Sequence, residues 1–362
     1  MWNRITQFFN ERFYRALAFF LPPQSKPLPK NPKCILVFST TGIGDGLFDS
    51  AAIKSLKQGY PRARVVVCTH HRRRSIAQHN PFVDEVVPLS KSPFSQARLL
   101  RRFWKERPDL IVALRVNEEA VPLGYLLNRH AFVGAVERCQ RFAFLLSHPV
   151  MTYEEDHIVK ETLKVAEVAG GASVDRGMVY QVSEEEIMAL RNRYPELTKK
   201  PYIVFQTGGG KTMAWRDWPV DSYILAIQWI RKRYPHQIVL TGGHDNEAAG
   251  TAIAAACSGV MNCVNQTTLE ETAALVKGAA MLLSSDTGVM HLGFAIGCPT
   301  LAILHYRSPA STYGPLDFSP GHEIVELSKP KEEVTPIAQV DEMKGIPFEE
   351  VTAAIERILK KR

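Results

Sequence analysis

The ten residues Leu282-Leu283-Ser284-Ser285-Asp286-Thr287-Gly288-Val289-Met290-His291 carry the strongest chemical signal in this chain. An apolar run ends at Ser284, and a polar loop then offers hydroxyls, a flexible Gly288 and the free amides of a helix beginning near Val289. Amides at a helix N-terminus, with the macrodipole behind them, favour an anion, so the segment reads as a phosphate site. His291 falls on the first turns of that helix, within reach of whatever the amides hold. Gly297-Cys298-Pro299 stops the helix and Thr300 to Leu304 forms the next parallel strand. An ordinary strand-to-helix turn, with Asp286 as cap and His291 packed inside, uses the same residues.

Three other loops follow apolar strands. Ser39-Thr40-Thr41-Gly42-Ile43-Gly44-Asp45-Gly46 comes directly after Cys34 to Phe38. Its glycines permit a tight turn, but it lacks the three-glycine spacing and the acid of a dinucleotide fingerprint. Asp45 follows the end of a strand and is placed to cap the following helix. Gln206-Thr207-Gly208-Gly209-Gly210-Lys211, with Trp215-Arg216-Asp217-Trp218-Pro219, makes a phosphate cradle in which Lys211 or Arg216 neutralises a leaving diphosphate. It is not a Walker loop. Leu240 to Glu247 ends a strand in a glycine turn, where Glu247 can hold a ribose diol or simply favour the helix N-terminus.

These loops need strands and helices to position them. The 362 residues exceed the size at which a single core stops growing, roughly 250–300 residues, so two domains are expected. Continuous apolar strands at Cys34–Phe38, Ala63–Cys68, Val83–Pro88 and Leu110–Leu114 alternate with helices at about Leu47–Gly59 and Arg98–Glu106. The rhythm restarts at Tyr202–Phe205 and continues through Gln237–Thr241, Met281–Ser284 and Thr300–Leu304. The expected division is an N-terminal amphipathic helix and linker at 1–30, an α/β domain at 31–182 and a linker at 183–200. A second α/β domain at 201–345 and a helix at 346–362 complete it.

An apolar content of 45% with 22% charged residues excludes a disordered chain. The formal charge of +7, with Arg72-Arg73-Arg74 after His70-His71 and then Arg98, Arg101, Arg102, Lys105 and Arg107, suits an anionic partner. The second cluster also fits a solvated helix face, and no nucleic-acid module accompanies either. Six scattered cysteines without a CxxC pair read as buried thiols of a reducing compartment, which places the protein in the cytoplasm. No stretch is long enough to cross a bilayer. Trp2, Ile5, Phe9, Phe13, Ala16 and Phe20 nevertheless recur at helical spacing beside Arg4, Arg12 and Arg15. That pattern serves a helix lying on the inner membrane surface or one folded onto the N-terminal domain.

The Asp286-Thr287-Gly288-x-x-His291 string resembles the nucleotide-binding signature of glycosyltransferase family 9, the ADP-heptose:lipopolysaccharide heptosyltransferases. The glycine-Asp turn at Asp45, Tyr60-Pro61, the basic residue before Trp218-Pro219 and the Gly242-Gly243 to Glu247 turn are similar to that family, over most of residues 34 to 327. The resemblance implies a GT-B-like fold of two facing doubly wound Rossmann-like domains with an interdomain cleft, the domain at 31–182 binding acceptor and that at 201–345 binding nucleotide sugar. It implies Asp45 as catalytic base, Glu247 on the ribose, and the donor diphosphate held by Thr207, Gly209, Lys211 or Arg216, Asp286, Thr287, Gly288 and His291. Gly44, Arg72, Arg73 and Arg74 are then expected at an anionic lipopolysaccharide-core or related glycan acceptor, at the inner face of the cytoplasmic membrane. The donor is ADP-heptose or a related nucleotide sugar, transferred with inversion. No Asp-x-Asp clamp occurs, so no metal and no other cofactor is expected. His305-Tyr306-Arg307 stands where the family often has Phe-Gly, which points to a different donor pocket. A nucleotide-sugar epimerase of similar shape, or a non-catalytic sugar-nucleotide or glycolipid binder, is the alternative.

Overall fold

The computed structural model describes residues 2–118, 120–153, 157–316, 321–329 and 342–360, leaving aside the side chains of residues 2–10, 211 and 212. The chain divides into two compact units, Met1–Tyr180 and Gln181–Arg362.

The first unit runs α1 (Trp2–Phe20), β1 (Cys34–Phe38), α2 (Ile43–Gly59), β2 (Arg64–His70), α3 (Arg74–Gln78), β3 (Glu85–Leu89) and α4 (Pro93–Glu106). It continues with β4 (Leu110–Ala113), α5 (Ala120–Leu127), β5 (Phe132–Ala135), α6 (Val136–Cys139), β6 (His148–Val150) and α7 (Ile158–Val168). Its six strands are parallel, in the order β3-β2-β1-β4-β5-β6. β1 is buried at every position, as a central parallel strand covered on both faces must be. Alternation sends Ile35 and Val37 into one core with Leu56 and Val165, and Leu36 and Phe38 into the other with Phe103 and Phe132.

The second unit runs α8 (Glu184–Arg193), β7 (Tyr202–Gln206), α9 (Val220–Arg231), β8 (Gln237–Thr241), α10 (Glu247–Ala256), β9 (Met261–Asn262) and α11 (Leu269–Lys277). Then come β10 (Met281–Ser285), α12 (Gly288–Ile296), β11 (Thr300–Leu304), α13 (Ala310–Tyr313), β12 (Glu323–Glu326) and α14 (Phe348–Lys360). The order β12-β11-β10-β7-β8-β9, again parallel, repeats the connectivity of the first sheet. In each sheet the chain reverses its direction of growth once, between β1 and β4 and between β7 and β10. Crevices beyond the carboxyl ends of strands at such a switch point are where doubly wound sheets hold ligands.

Several elements differ in extent from the sequence expectation. α2 starts at Ile43, a turn before Leu47, because Asp45 satisfies the Gly42 amide from inside the first turn. α4 starts at Pro93, a favoured first helical residue, and so takes in Ser95 and Gln96 before Arg98. The strands β5, β6, β9 and β12 have four residues or fewer, too short to declare a period.

One face of α1 packs, with Tyr14, Leu17 and Ala18 on the core that holds Phe142. Tyr14 meets the Phe142 ring edge-on at 6.0 Å, and the Tyr125 hydroxyl anchors the Leu21 carbonyl. Phe13, Phe19 and Phe20 stay exposed on the remaining surface. All six cysteines are free and buried. Among the described residues no helix is long and apolar enough to cross a membrane.

Candidate active site

In the first unit, the loop after β1 and the end of β4 bring together Asp45 and Arg115. Asp45 Oδ2 accepts the Gly42 amide at 2.7 Å, and Arg115 Nε lies 2.6 Å from Oδ1. Burial raises the Asp45 carboxyl, but the Arg115 charge, the Gly42 amide and the Thr41 hydroxyl outweigh it and hold the group below the usual carboxylate range. Asp45 is therefore an ionised carboxylate and also a helix-terminus ligand.

The loop itself is tied from three sides. The Thr40 amide donates to the Arg115 carbonyl at 2.9 Å, and Asn117 reaches the Thr40 hydroxyl at 2.7 Å and the Thr40 carbonyl at 3.0 Å. Arg73 donates to the carbonyls of Thr40 and Thr41 and is half-buried, whereas Arg72 and Arg74 are exposed. Gly44 lies in the first turn of α2. Farther along the same strand ends, a pocket of about 450 Å³ is lined by His71, Phe94, Arg98 and Arg102 with the hydroxyls of Ser90 and Ser95.

In the second unit, the β7 and β10 loops meet. Thr287 caps α12, its hydroxyl accepting the Met290 amide at 3.3 Å, which leaves the amides of Gly288 and Val289 ahead of the helical ladder. Gly297 closes the helix at φ +76°, and Gly293 lets it sit close on the sheet, since a Cβ there would come within 2.6 Å of Leu282 and Thr300. Asp286 is almost fully enclosed. It takes the Arg216 guanidinium and the Ser308 hydroxyl, with His291 Nε2 at 3.4 Å. Burial opposes its charge, yet His291, Arg216 and Ser308 together pull it down to about 2.

The cradle after β7 is held open by its neighbours. Asp217 accepts the Gly209 amide at 2.6 Å and Asn246 donates to the Gly209 carbonyl at 2.9 Å. Gly208 has φ +131°, and a Cβ on it would lie 2.9 Å from Asp217, so only glycine fits this turn. A Cβ on Gly209 would be 3.8 Å from Thr287 Cγ2, which places the two loops side by side. Thr207 is buried, and its hydroxyl bonds the Thr241 carbonyl at 3.1 Å. The Lys211 side chain lies outside the described residues. Trp218 is buried edge-on against Tyr223, and Pro219 caps α9.

Glu247 opens α10 with about half its side chain exposed, held by Asn265 at 2.7 Å and His244 at 2.9 Å. His305, beyond β11, bonds Glu342 at 2.7 Å and stands edge-on to Trp215 at 4.9 Å.

Sequence reasoning did not single out Arg115, Asp49, Asp217, Asn246 or Ser308. Arg115 could have been found as a cation at the end of an apolar strand, and Asp49 as an acid four residues after Asp45 on an otherwise apolar helix face. Ser308 leaves no signal, because it reaches Asp286 across 22 residues of chain.

Two parallel sheets of one connectivity, each with polar loops at its switch point, give a fold of the GT-B-like class. The glycosyltransferase family 9 (heptosyltransferase) profile matches residues 125–335, and the chain belongs to that family. Lipopolysaccharide heptosyltransferase 2 of Salmonella typhimurium is 24% identical over 300 residues, 77% of this chain and 84% of that protein. The protein of the same description from Escherichia coli K12 is 26% identical over 304 residues, again 77% and 84%. The solved E. coli ADP-heptose lps heptosyltransferase II shares the fold at a TM-score of 0.76 and 20% identity, covering 90% of this chain and 98% of its own.

Proposed function

We propose that this enzyme moves heptose, with inversion, from ADP-heptose to an anionic lipopolysaccharide-core or related glycan acceptor. The relatives' descriptions supply the substrate class. The observation that carries the reading in this chain is Asp45, an ionised carboxylate at a strand's carboxyl end, fixed by Arg115 and the Gly42 amide. An acceptor hydroxyl is a poor nucleophile; as its oxygen bonds to the sugar carbon and the diphosphate leaves, Asp45 takes the proton. Charge on the departing diphosphate falls to the Gly288 and Val289 amides, the Thr287 hydroxyl, His291 and Arg216, with no metal required. Asp286, enclosed and in contact with Arg216 and His291, serves the donor in this reading by orienting those two groups. Glu247 receives the ribose diol. His71, Arg98 and Arg102 line a pocket fit for acceptor phosphates or carboxylates, and the exposed Arg72 and Arg74 follow His71 in the chain.

The enzyme works at the cytoplasmic face of the inner membrane in this reading, resting on it through α1. Phe13, Phe19 and Phe20 supply an exposed apolar surface, and Arg12 and Arg15 beside them suit anionic lipid headgroups.

Thermal unfolding in EDTA with ADP, UDP, GDP or CDP tests the donor. A nucleotide at a hundredfold excess over its dissociation constant adds about 2.7 kcal/mol, so selective stabilisation by ADP is expected. Asp45→Asn should retain that stabilisation while transfer falls about 10²- to 10⁴-fold. Turnover undiminished in this variant removes Asp45 as the base.

A further inference from the structure

Asp49 lies one helical turn after Asp45 on α2 and is completely buried, a rare place for a carboxyl. Its Oδ2 accepts the Ser39 hydroxyl at 2.5 Å, while Oδ1 is enclosed without a hydrogen bond. Arg115 acts on this carboxyl through its charge and its backbone amide. The same guanidinium stands against Asp45 as an ion pair, with Nε 2.6 Å from Oδ1, yet neither its Nε nor its Nη1 makes a hydrogen bond. Three buried atoms of these two residues, Asp49 Oδ1 and Arg115 Nε and Nη1, are thus left unsatisfied beside the proposed base. Such a group normally carries a penalty unless another state of the site uses it.

We propose that Asp49 is a positioning residue for the base, sharing Arg115 with Asp45, and that its ionisation draws the guanidinium away and raises the proton affinity of Asp45. The role rests on the reading of Asp45 given above. Burial pushes Asp49 up to about 7 against the pull of Ser39 and Arg115, so its charge changes across neutral pH. Below that point Asp49 is neutral, Arg115 belongs to Asp45, and Asp45 is a weak base. Above it a second negative charge, one turn away, competes for the one cation and strengthens Asp45.

The charges that act on Asp49 are those of Arg115 and Asp45. α7, packed along α2, brings His157, Lys160, Glu161 and Lys164, with Glu161 taken up by Arg138. α3 brings Arg74 and also His79, whose ring bonds the Ser75 carbonyl.

The test is a ¹³C NMR titration of the full-length protein labelled at aspartate side-chain carboxyls, paired with pH profiles of transfer from ADP-heptose to a lipopolysaccharide-core acceptor. One resonance should titrate near pH 7, vanish in Asp49→Asn and move to higher pH in Arg115→Gln; the Asp45 resonance should show an inflection at the same pH. Wild-type kcat should rise through that pH. Asp49→Asn should give a flat profile, with kcat at pH 8 lowered roughly threefold to tenfold and KM unchanged, the size expected of a modest change in base strength. Retained stabilisation by ADP shows that the variant folds. A neutral-range limb that survives in Asp49→Asn, or an Asp45 resonance without inflection, overturns the proposal. Absence of transfer in the wild type, with the NMR coupling present, would instead overturn the functional reading and leave the coupling standing.

Discussion

Arg115 Nε stands 2.6 Å from Asp45 Oδ1, joining the end of β4 to the first turn of α2 across 70 residues of chain. Both side chains are mostly enclosed, so this contact is screened less than a surface ion pair. The pairing lowers the Asp45 carboxyl, and a lowered carboxyl stabilises the fold above the ordinary carboxylate range and loses that contribution as pH falls through the native value. Arg115→Gln should therefore raise the Asp45 titration point and flatten the acid limb of the stability curve. Calorimetry between pH 2 and 5, with the Asp45 carboxyl followed by NMR, checks both; an unmoved titration point would show that burial and the Gly42 amide alone set the carboxyl.

Asp49 has the opposite sign. Its carboxyl is raised from 3.8 to about 7, so the native state binds the proton more tightly than the unfolded chain does. Stability is greatest below the unfolded value and declines as pH rises from about 4 to 7. Asp49→Asn, which holds the neutral form, should be more stable than the wild type at pH 8 by at most about 4 kcal/mol, the gain shrinking toward pH 4. Part of the gain is offset because the new amide hydrogens need acceptors. Denaturant titrations at the two pH values decide it, and a variant less stable at pH 8 contradicts the sign.

Asp286 gathers Arg216, His291 and Ser308 around one enclosed carboxylate. Removing one partner of a buried pair costs about 3–5 kcal/mol, and somewhat less is expected here because Arg216 keeps a fifth of its surface in water. Asp286→Asn should lower stability by about 2–3 kcal/mol at neutral pH. It should also remove the part of the acid transition that lies between the ordinary carboxylate range and about 2. Stabilisation by ADP should weaken, since Arg216 and His291 lose their alignment. Undiminished ADP stabilisation would separate the Asp286 cluster from the donor site.

Phe19 and Phe20 are 81% and 77% exposed at the end of a helix whose other face is packed. Phe19→Ser with Phe20→Ser should leave the fold intact and reduce co-sedimentation with anionic vesicles several-fold, because apolar burial adds to charge attraction at a bilayer interface. Unchanged sedimentation would leave α1 as an element of the domain alone.

Much of this was legible before any coordinates. The largely apolar runs of β1, β7, β10 and β11 announce buried parallel strands, and those of β1, β7 and β10 each carry a polar, glycine-bearing loop at the end. Asp45 stood out because a local rule places it, an acid at a helix start, whereas the cap of α12 falls to Thr287, one residue beyond the Asp286 expected there. The short strands β6 and β9 were not legible, since three and two residues contain no period.

What the sequence by itself determined is the kind of element at each point and the loops that could hold an anion or a base, because backbone propensity, capping and hydrophobic period act over a few residues. Only the tertiary structure decided which charge meets which. Arg115 reaches Asp45 from 70 residues away and Ser308 reaches Asp286 from 22, through strand neighbours set by the order of each sheet. The physical reason is that Coulomb and desolvation terms depend on distance and burial, and neither is a local property of the chain.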